Sequence, residues 1–331
     1  MAFRSRSPER VVDDLVMLAS RYGRLAFIMA DTIMDATYTH DVLPRLRDTD
    51  LDFSIFYETK SDLTKEEIRL LRDAGVDRIQ PGTESLSTPI LKLVRKGVTG
   101  LQNVRLVKWC AEFGVDVSWN LLYGIPGEPP AEYDAMADNM QSLTHLQPPR
   151  LFPIWLDRFT PFYERSREFG FEIIGPPPHA RVVYPVDEAA LADLVHSFEY
   201  RRTDGCDPET YVGGVRRVIE DWTKSHAAGG YRSLRYGRGP GFLRIIDRRP
   251  NVPARDYTLG GPEAAIYMAC DDGATPAEVR NALQPATAIA YGVEAIRAFL
   301  DELVALRLVY RERDSYLALA LSAKLAELGA H

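Results

Sequence analysis

The chain of 331 residues predicts an α/β fold on a parallel sheet with right-handed crossovers. Two observations carry this. Short apolar runs alternate with amphipathic helical stretches up to residue 160, at roughly 30 residues per unit. The runs lack polar alternation, as strands buried on both faces do, and each ends in a polar cluster.

The elements follow in order. Ser7 caps a helix with Pro8 at its first position, and Val11, Val12, Leu15, Leu18 and Ala19 keep helical spacing. Residues 25–30 read as a buried strand closed by Asp31. A helix around 41–47 leads to a strand over 52–59. Thr64 and Glu67 form a capping box; its helix uses Ile68, Leu71 and Ala74 and ends at Gly75. Next come a strand over 78–81, a helix over 102–113 ending at Gly114, a strand over 115–123 and a helix over 130–143. A strand over 151–159 is interrupted by Pro153, and a short helix lies within 160–170.

The rhythm then changes. Pro176, Pro177 and Pro178 make a rigid loop, and helices are expected over 187–202 and 208–227. Gly229 and Gly230 open an Arg- and Gly-rich stretch, read as a linker and domain boundary. A strand over 243–246 follows. Helices over 262–270, from the Thr275–Glu278 capping box and over 293–306 precede a hairpin of 307–310 and 316–320. Three helices and a hairpin make a winged-helix pattern.

Bulk properties exclude several classes. Net charge is −7, which gives no reason to expect nucleic acid or a membrane surface as partner. No apolar run reaches the roughly 18 residues of a membrane helix. The N-terminus has no apolar signal core, so a cytoplasmic location is expected. The three cysteines, Cys110, Cys206 and Cys270, are far apart and read as buried apolar thiols. The six histidines show no helical pairing, so no local metal site is expected. Arg232, Arg235, Arg238, Arg244, Arg248, Arg249 and Arg255 grip an acidic leader peptide, stabilise the docking of another part of the protein, or lie in a solvated linker.

Chemistry concentrates at the strand ends. Asp31 ends the first strand, Glu58 and Lys60 the second, Glu84 and Ser85 the third. Asn120, Tyr123 and the loop 124–128 end the fourth, and Arg158 and Thr160 the fifth. Strand ends converge on one site in open α/β sheets and barrels. An acid, a lysine, a hydroxyl and an amide suit a ligand with an amino group, a carboxylate and a ribose. The alternative is a set of solvated loop residues.

Gly82-Thr-Glu-Ser85 followed by Gly124-Ile-Pro-Gly-Glu128 resembles the radical S-adenosylmethionine (SAM) superfamily. The wider wording, PGTESLSTPILKLVRKGVTGLQNVRLVKWC and WNLLYGIPGE, is similar to the cobalamin-dependent C-methyltransferases that mature ribosomally made peptides. The resemblance implies a partial (β/α)6 TIM-like barrel over 1–170 that lacks its first strand. The element pattern along the chain adds a helical extension and linker over 171–240 and a winged-helix-like domain over 241–331, which is expected to bind a leader peptide. The resemblance implies SAM as cofactor. Asp31, in Met-Ala-Asp, falls where the family's amino-group motif lies. Lys60, two residues after Glu58, matches a basic position that pairs with the SAM carboxylate. Glu84 and Ser85 match the motif near the ribose and methionine groups. Tyr123, Gly124, Ile125 and Pro126 match the loop that lies against adenine through backbone groups.

The resemblance also implies a 4Fe–4S cluster and cobalamin. The CxxxCxxC motif that would hold the cluster is absent from this sequence, and so is a preceding cobalamin-binding domain. Met1-Ala-Phe-Arg4 resembles residues just downstream of the third cysteine of that motif. Two expectations stand. One is the core and C-terminal part of an enzyme, inactive alone, with a precursor peptide as substrate and a separate N-terminal polypeptide as partner. The other is a non-catalytic peptide-binding scaffold beside an intact enzyme.

Overall fold

The computed structural model describes residues 4–31, 33–283 and 291–324; Met1-Ala-Phe lies outside them. Helix α1 (Pro8–Tyr22) is capped by Ser7 and stopped by Gly23 at φ 62°, and it buries Val11 and Leu15. Then follow β1 (Ala26–Ile28), the short α2 (Tyr38–Asp41) and α3 (Leu43–Arg47), β2 (Ser54–Thr59), α4 (Lys65–Asp73) and β3 (Val76–Pro81). After these come α5 (Thr88–Leu93), α6 (Gly100–Phe113), β4 (Asp116–Val117), β5 (Asn120–Tyr123), α7 (Pro130–Met140) and β6 (Arg150–Pro153). Strands β1 to β4 form a parallel sheet in chain order, and β5 and β6 a parallel pair. The α/β expectation holds here as a parallel sheet of four strands.

The strand expected over 115–123 is two. Ser118 N–H still donates to Ile79 O, but Trp119 O accepts from Arg150 N–H. The chain therefore leaves β3 and joins β6 at Ser118-Trp119. A parallel bridge between Glu84 and Leu121 ties the two sheets together. The strand expected over 151–159 also divides, into β6 and β7 (Leu156–Asp157), just past Pro153, which has no N–H to pair.

The second half holds α8 (Pro161–Glu164), β8 (Phe171–Gly175), α9 (Pro178–Val183), α10 (Glu188–Leu194), β9 (Ser197–Arg202) and α11 (Glu209–Ser225). Strands β7, β9 and β8 make an antiparallel sheet in that order. The helix expected over 187–202 is thus corrected. Asp187 caps its first half, Val195 turns extended, and Ser197–Arg202 pairs on both edges. Trp119 and Trp222 meet edge to face at 6.1 Å, with their indole N–H groups on Gln147 O and Leu146 O. Such a pair adds about 0.5–1.5 kcal/mol beyond its buried area and fixes α11 against the β5–β6 pair.

The Arg- and Gly-rich stretch is strand β10 (Leu234–Gly239). It pairs with β11 (Phe242–Asp247), which pairs with β12 (Arg255–Gly260). Its arginines are largely committed within the fold. Arg249 is fully buried on Asp247 at 2.6 Å, and Arg244 and Arg248 both hold Asp256. Helices α12 (Gly261–Ala269), α13 (Pro276–Ala282) and α14 (Val293–Ala305) lead to the hairpin β13 (Val309–Glu312) and β14 (Ser315–Ala318). Strand β15 (Leu321–Ser322) returns parallel to β10. One apolar core runs from Val11 to Leu321. Within it, fully buried Lys108 pairs with Asp271 at 2.5 Å, binding α6 to the end of α12. Among the described residues no helix is long and apolar enough to cross a membrane.

Candidate functional site

The C-terminal ends of β2 and β3, with the first residue of β5, border a polar cavity of about 540 Å3. Glu58, Thr59, Lys60, Glu84, Lys96 and Asn120 stand in its wall. A second cavity of about 640 Å3 adjoins it beneath the loop after β6, and Glu84, Arg95, Lys96 and Asn120 line both. Lys96 Nζ bonds Glu84 Oε1 at 2.9 Å on this shared wall. Thr59 is buried, and its Oγ1 has no partner among the described residues. A buried hydroxyl without a partner at a cavity wall is a group awaiting a ligand or water.

The loop carrying Glu84 is pinned on three sides. Thr83 Oγ1 donates to Asn120 O at 2.9 Å, and Leu122 N–H donates to Glu84 O at 2.8 Å. From α6, the buried amide of Asn103 donates to Thr83 O and Ser85 O, each at 2.8 Å. These bonds hold Glu84 at φ 63°, a left-handed conformation that a glutamate does not take unaided.

Residues 2–140 match the Radical SAM superfamily. The resemblance read from the motifs holds over that segment. A curated relative, an uncharacterized methyltransferase of Pyrococcus horikoshii, is 26% identical over 136 residues, 40% of this chain and 30% of that protein. Among solved structures, the radical SAM methyltransferase TsrM of Kitasatospora setae, with tryptophan and a SAM analogue bound, is 20% identical. It covers 66% of this chain and 47% of its own, at a TM-score of 0.49. OxsB, a cobalamin-dependent SAM radical enzyme, is 14% identical at a TM-score of 0.37, covering 94% of this chain and 44% of its own. The chain thus spans under half the length of these relatives.

Within the matched segment, the strand-end residues divide. Glu58, Lys60, Glu84 and Asn120 come together in the polar cavity. Asp31 stands outside that wall and accepts from Tyr57 OH at 2.9 Å. Burial, and then Asp31, push the Tyr57 phenol well above its usual range, so it remains a donor. Ser85 turns away: buried, its Oγ accepts from Ser87 N–H at the start of α5. The positive φ of Glu84 produces that turn.

Tyr123, Gly124, Ile125 and Pro126 also stand outside both cavity walls. Tyr123 OH donates to Glu209 on α11, and Ile125 is buried. Gly124 N–H is committed to Glu128 at 2.7 Å, and Glu128 also accepts from Tyr133 and Tyr211. This loop is a structural clamp on α11. Sequence reasoning missed Arg95 and Lys96, which enter from the end of α5. Their signal was the Arg-Lys-Gly turn, where Arg95 (φ 56°) and Gly97 (φ 81°) both have positive φ.

The polar cavity fits the amino-acid end of SAM, with both charge signs and an unpartnered hydroxyl. The three cysteines do not fit an iron–sulfur cluster. Cys110 and Cys270 are fully buried in the apolar core, and burial raises both thiols, Cys270 to about 12. Cluster ligation needs accessible thiolates at one place. Among the described residues no group of three or more His, Cys, Asp or Glu is arranged to hold a metal ion.

Proposed function

We propose that this chain supplies the SAM-holding part of a cobalamin-dependent radical SAM methyltransferase acting on a ribosomally made peptide. The observation that carries the reading is the convergence of Glu58, Lys60, Glu84, Lys96 and Asn120 on one cavity inside the matched segment. Glu58 and Glu84 take the ammonium of the cofactor. Lys60 and Lys96 take its carboxylate as point charges. The Thr59 hydroxyl and the Asn120 amide face the ribose. When bound, SAM supplies an activated methyl sulfonium; the chain orients its amino-acid end. The three cysteines do not supply the cluster, so reductive cleavage needs ligands from elsewhere. The helices and hairpin after residue 260, winged-helix-like in order, are the part we assign to the precursor peptide, by strand addition to the hairpin.

The test is equilibrium dialysis of the full chain against S-adenosylhomocysteine, with anaerobic iron–sulfide reconstitution in parallel. We expect binding that Glu58→Gln and Lys60→Met each weaken about tenfold, since bonds to charged groups contribute about 1.5–3 kcal/mol. No binding sinks the reading. A stable four-iron cluster on the isolated chain sinks the statement about its cysteines.

The burial of Cys110 and Cys270 also favours a second reading, a non-catalytic peptide-binding scaffold working beside an intact enzyme. It predicts precursor binding with no dependence on S-adenosylhomocysteine.

A further inference from the structure

The polar cavity accounts for the cofactor and leaves its neighbour unassigned. That second cavity, about 640 Å3, is walled by Leu122, Phe152, Ile154, Trp155, Phe162 and Phe169. Each cavity lies within the roughly 300–1,000 Å3 that one small ligand takes. Together they give room for two occupants side by side, meeting at Glu84, Lys96 and Asn120. We infer that the aromatic cavity takes the side chain to be methylated, an uncharged apolar group of aromatic size. The inference rests on reading the polar cavity as the cofactor's.

Charge decides the class of ligand. Glu84 is neutralised by Lys96 at 2.9 Å. Arg95 and Arg165 both pair with Glu168, and their guanidinium groups lie over the Phe169 ring at 5.1 and 5.3 Å. Asp157 accepts from the Ser197 hydroxyl. Thr160 Oγ1 donates to Asp157 O and accepts from Tyr163 N–H. Glu84 and Lys96 cancel each other's charge and are assigned to the cofactor, and Arg95 and Arg165 share Glu168, so a charged side chain entering here finds at most the Asp157 carboxylate in return for its lost water. The rings are in the opposite condition. Trp155 is 61% exposed and Phe152 38%, although both border a concave site. An apolar occupant covers them, a gain that grows with the area removed from water.

The position is also chemically apt. Glu84 is held on the shared wall by the bonds to Thr83, Ser85 and Leu122, so the two occupants meet at a rigid point. Because they share wall residues, their affinities are coupled, and the coupling is reciprocal.

Equilibrium dialysis of the full chain against the N-acetyl amides of Trp, Phe, Leu, Lys and Asp, with and without saturating S-adenosylhomocysteine, tests this. We expect the Trp and Phe amides to bind roughly tenfold more tightly than the Lys and Asp amides, and to bind together with S-adenosylhomocysteine. Trp155→Ala, at an exposed position, should weaken aromatic binding about tenfold and leave S-adenosylhomocysteine binding within about twofold. Phe152→Ala gives a second, independent variant. Absence of an aromatic preference overturns the inference. So does displacement of the aromatic amide by S-adenosylhomocysteine, which would make the cavity part of the cofactor's own site. Trp155-dependent aromatic binding in a chain that ignores S-adenosylhomocysteine upholds the cavity's ligand class and overturns the cofactor reading alone.

Discussion

Lys96 Nζ reaches Glu84 Oε1 at 2.9 Å by passing over Gly82. A Cβ added at Gly82 would lie 2.6 Å from Lys96 Nζ, while Gly82 itself has no positive φ. The glycine is there for space. Since the clashing atom is the end of a flexible side chain, Gly82→Ala should displace Lys96 and leave the fold intact. We expect a melting temperature within a few degrees of the parent and S-adenosylhomocysteine binding weakened about tenfold, as for loss of one charged hydrogen bond. A variant that binds normally would show that Lys96 does not serve the cofactor.

Asn103 is a second control point, distant from any ligand. Its buried amide satisfies Thr83 O and Ser85 O. Asn103→Ala leaves Ser85 O without its donor, at a cost of about 1–3 kcal/mol, whereas Thr83 O keeps Ser85 N–H at 2.8 Å. Urea denaturation should show the loss. If the stability loss is under about 0.5 kcal/mol, the loop is held by its other bonds and Glu84 does not depend on α6.

Acid should weaken the fold through His145. The ring is fully buried beside Arg249 and Lys108, with Nε2 3.0 Å from Leu319 O. Burial, followed by the Arg249 charge, lowers its pKa well below the usual value. The unfolded chain therefore takes up a proton near pH 6.5 that the folded chain refuses. This contribution is fully present above about pH 6.5 and is lost as pH falls below it, at up to about 1.4 kcal/mol per pH unit. Urea midpoints between pH 7.5 and 5.5 should fall accordingly, and His145→Gln should flatten that slope. An unchanged slope in His145→Gln would move the effect to another group.

The cysteines offer an inexpensive check on burial. Cys206 is only partly buried, whereas Cys110 and Cys270 are buried and their thiols are raised by it. Iodoacetamide at pH 8 should label Cys206 alone in the native chain and all three in urea, read by intact mass. Native labelling of Cys110 or Cys270 would contradict the core described above.

The sequence disclosed what local chemistry dictates. The capping boxes at Thr64 and Thr275 form as read, and the strand-end positions Glu58, Lys60, Glu84 and Asn120 share a cavity. What it hid depends on partners distant in the chain. Residues 197–202 carry amphipathic spacing, yet they become a strand because β7 and β8 flank them. The break at Ser118-Trp119 occurs because Arg150 claims the Trp119 carbonyl. Lys96 joins the site from the far end of α5, a position with no strand-end signature. Ser85 leaves the site because its neighbour adopts a positive φ, which no residue pattern announces.

Glu312, in the last hairpin, accepts from Thr88 N–H, from Thr88 Oγ1 and from Leu101 N–H at 2.8 Å. One carboxylate from β13 thus closes the first turns of both α5 and α6, the helices that bracket the Glu84 loop. Hydrogen exchange should therefore show the starts of α5 and α6 losing protection together in Glu312→Ala, and unchanged protection there would show that the carboxylate does not hold them. A change in the position of the hairpin therefore bears directly on the helix starts that flank Glu84, with residue 312 as the charged link between them.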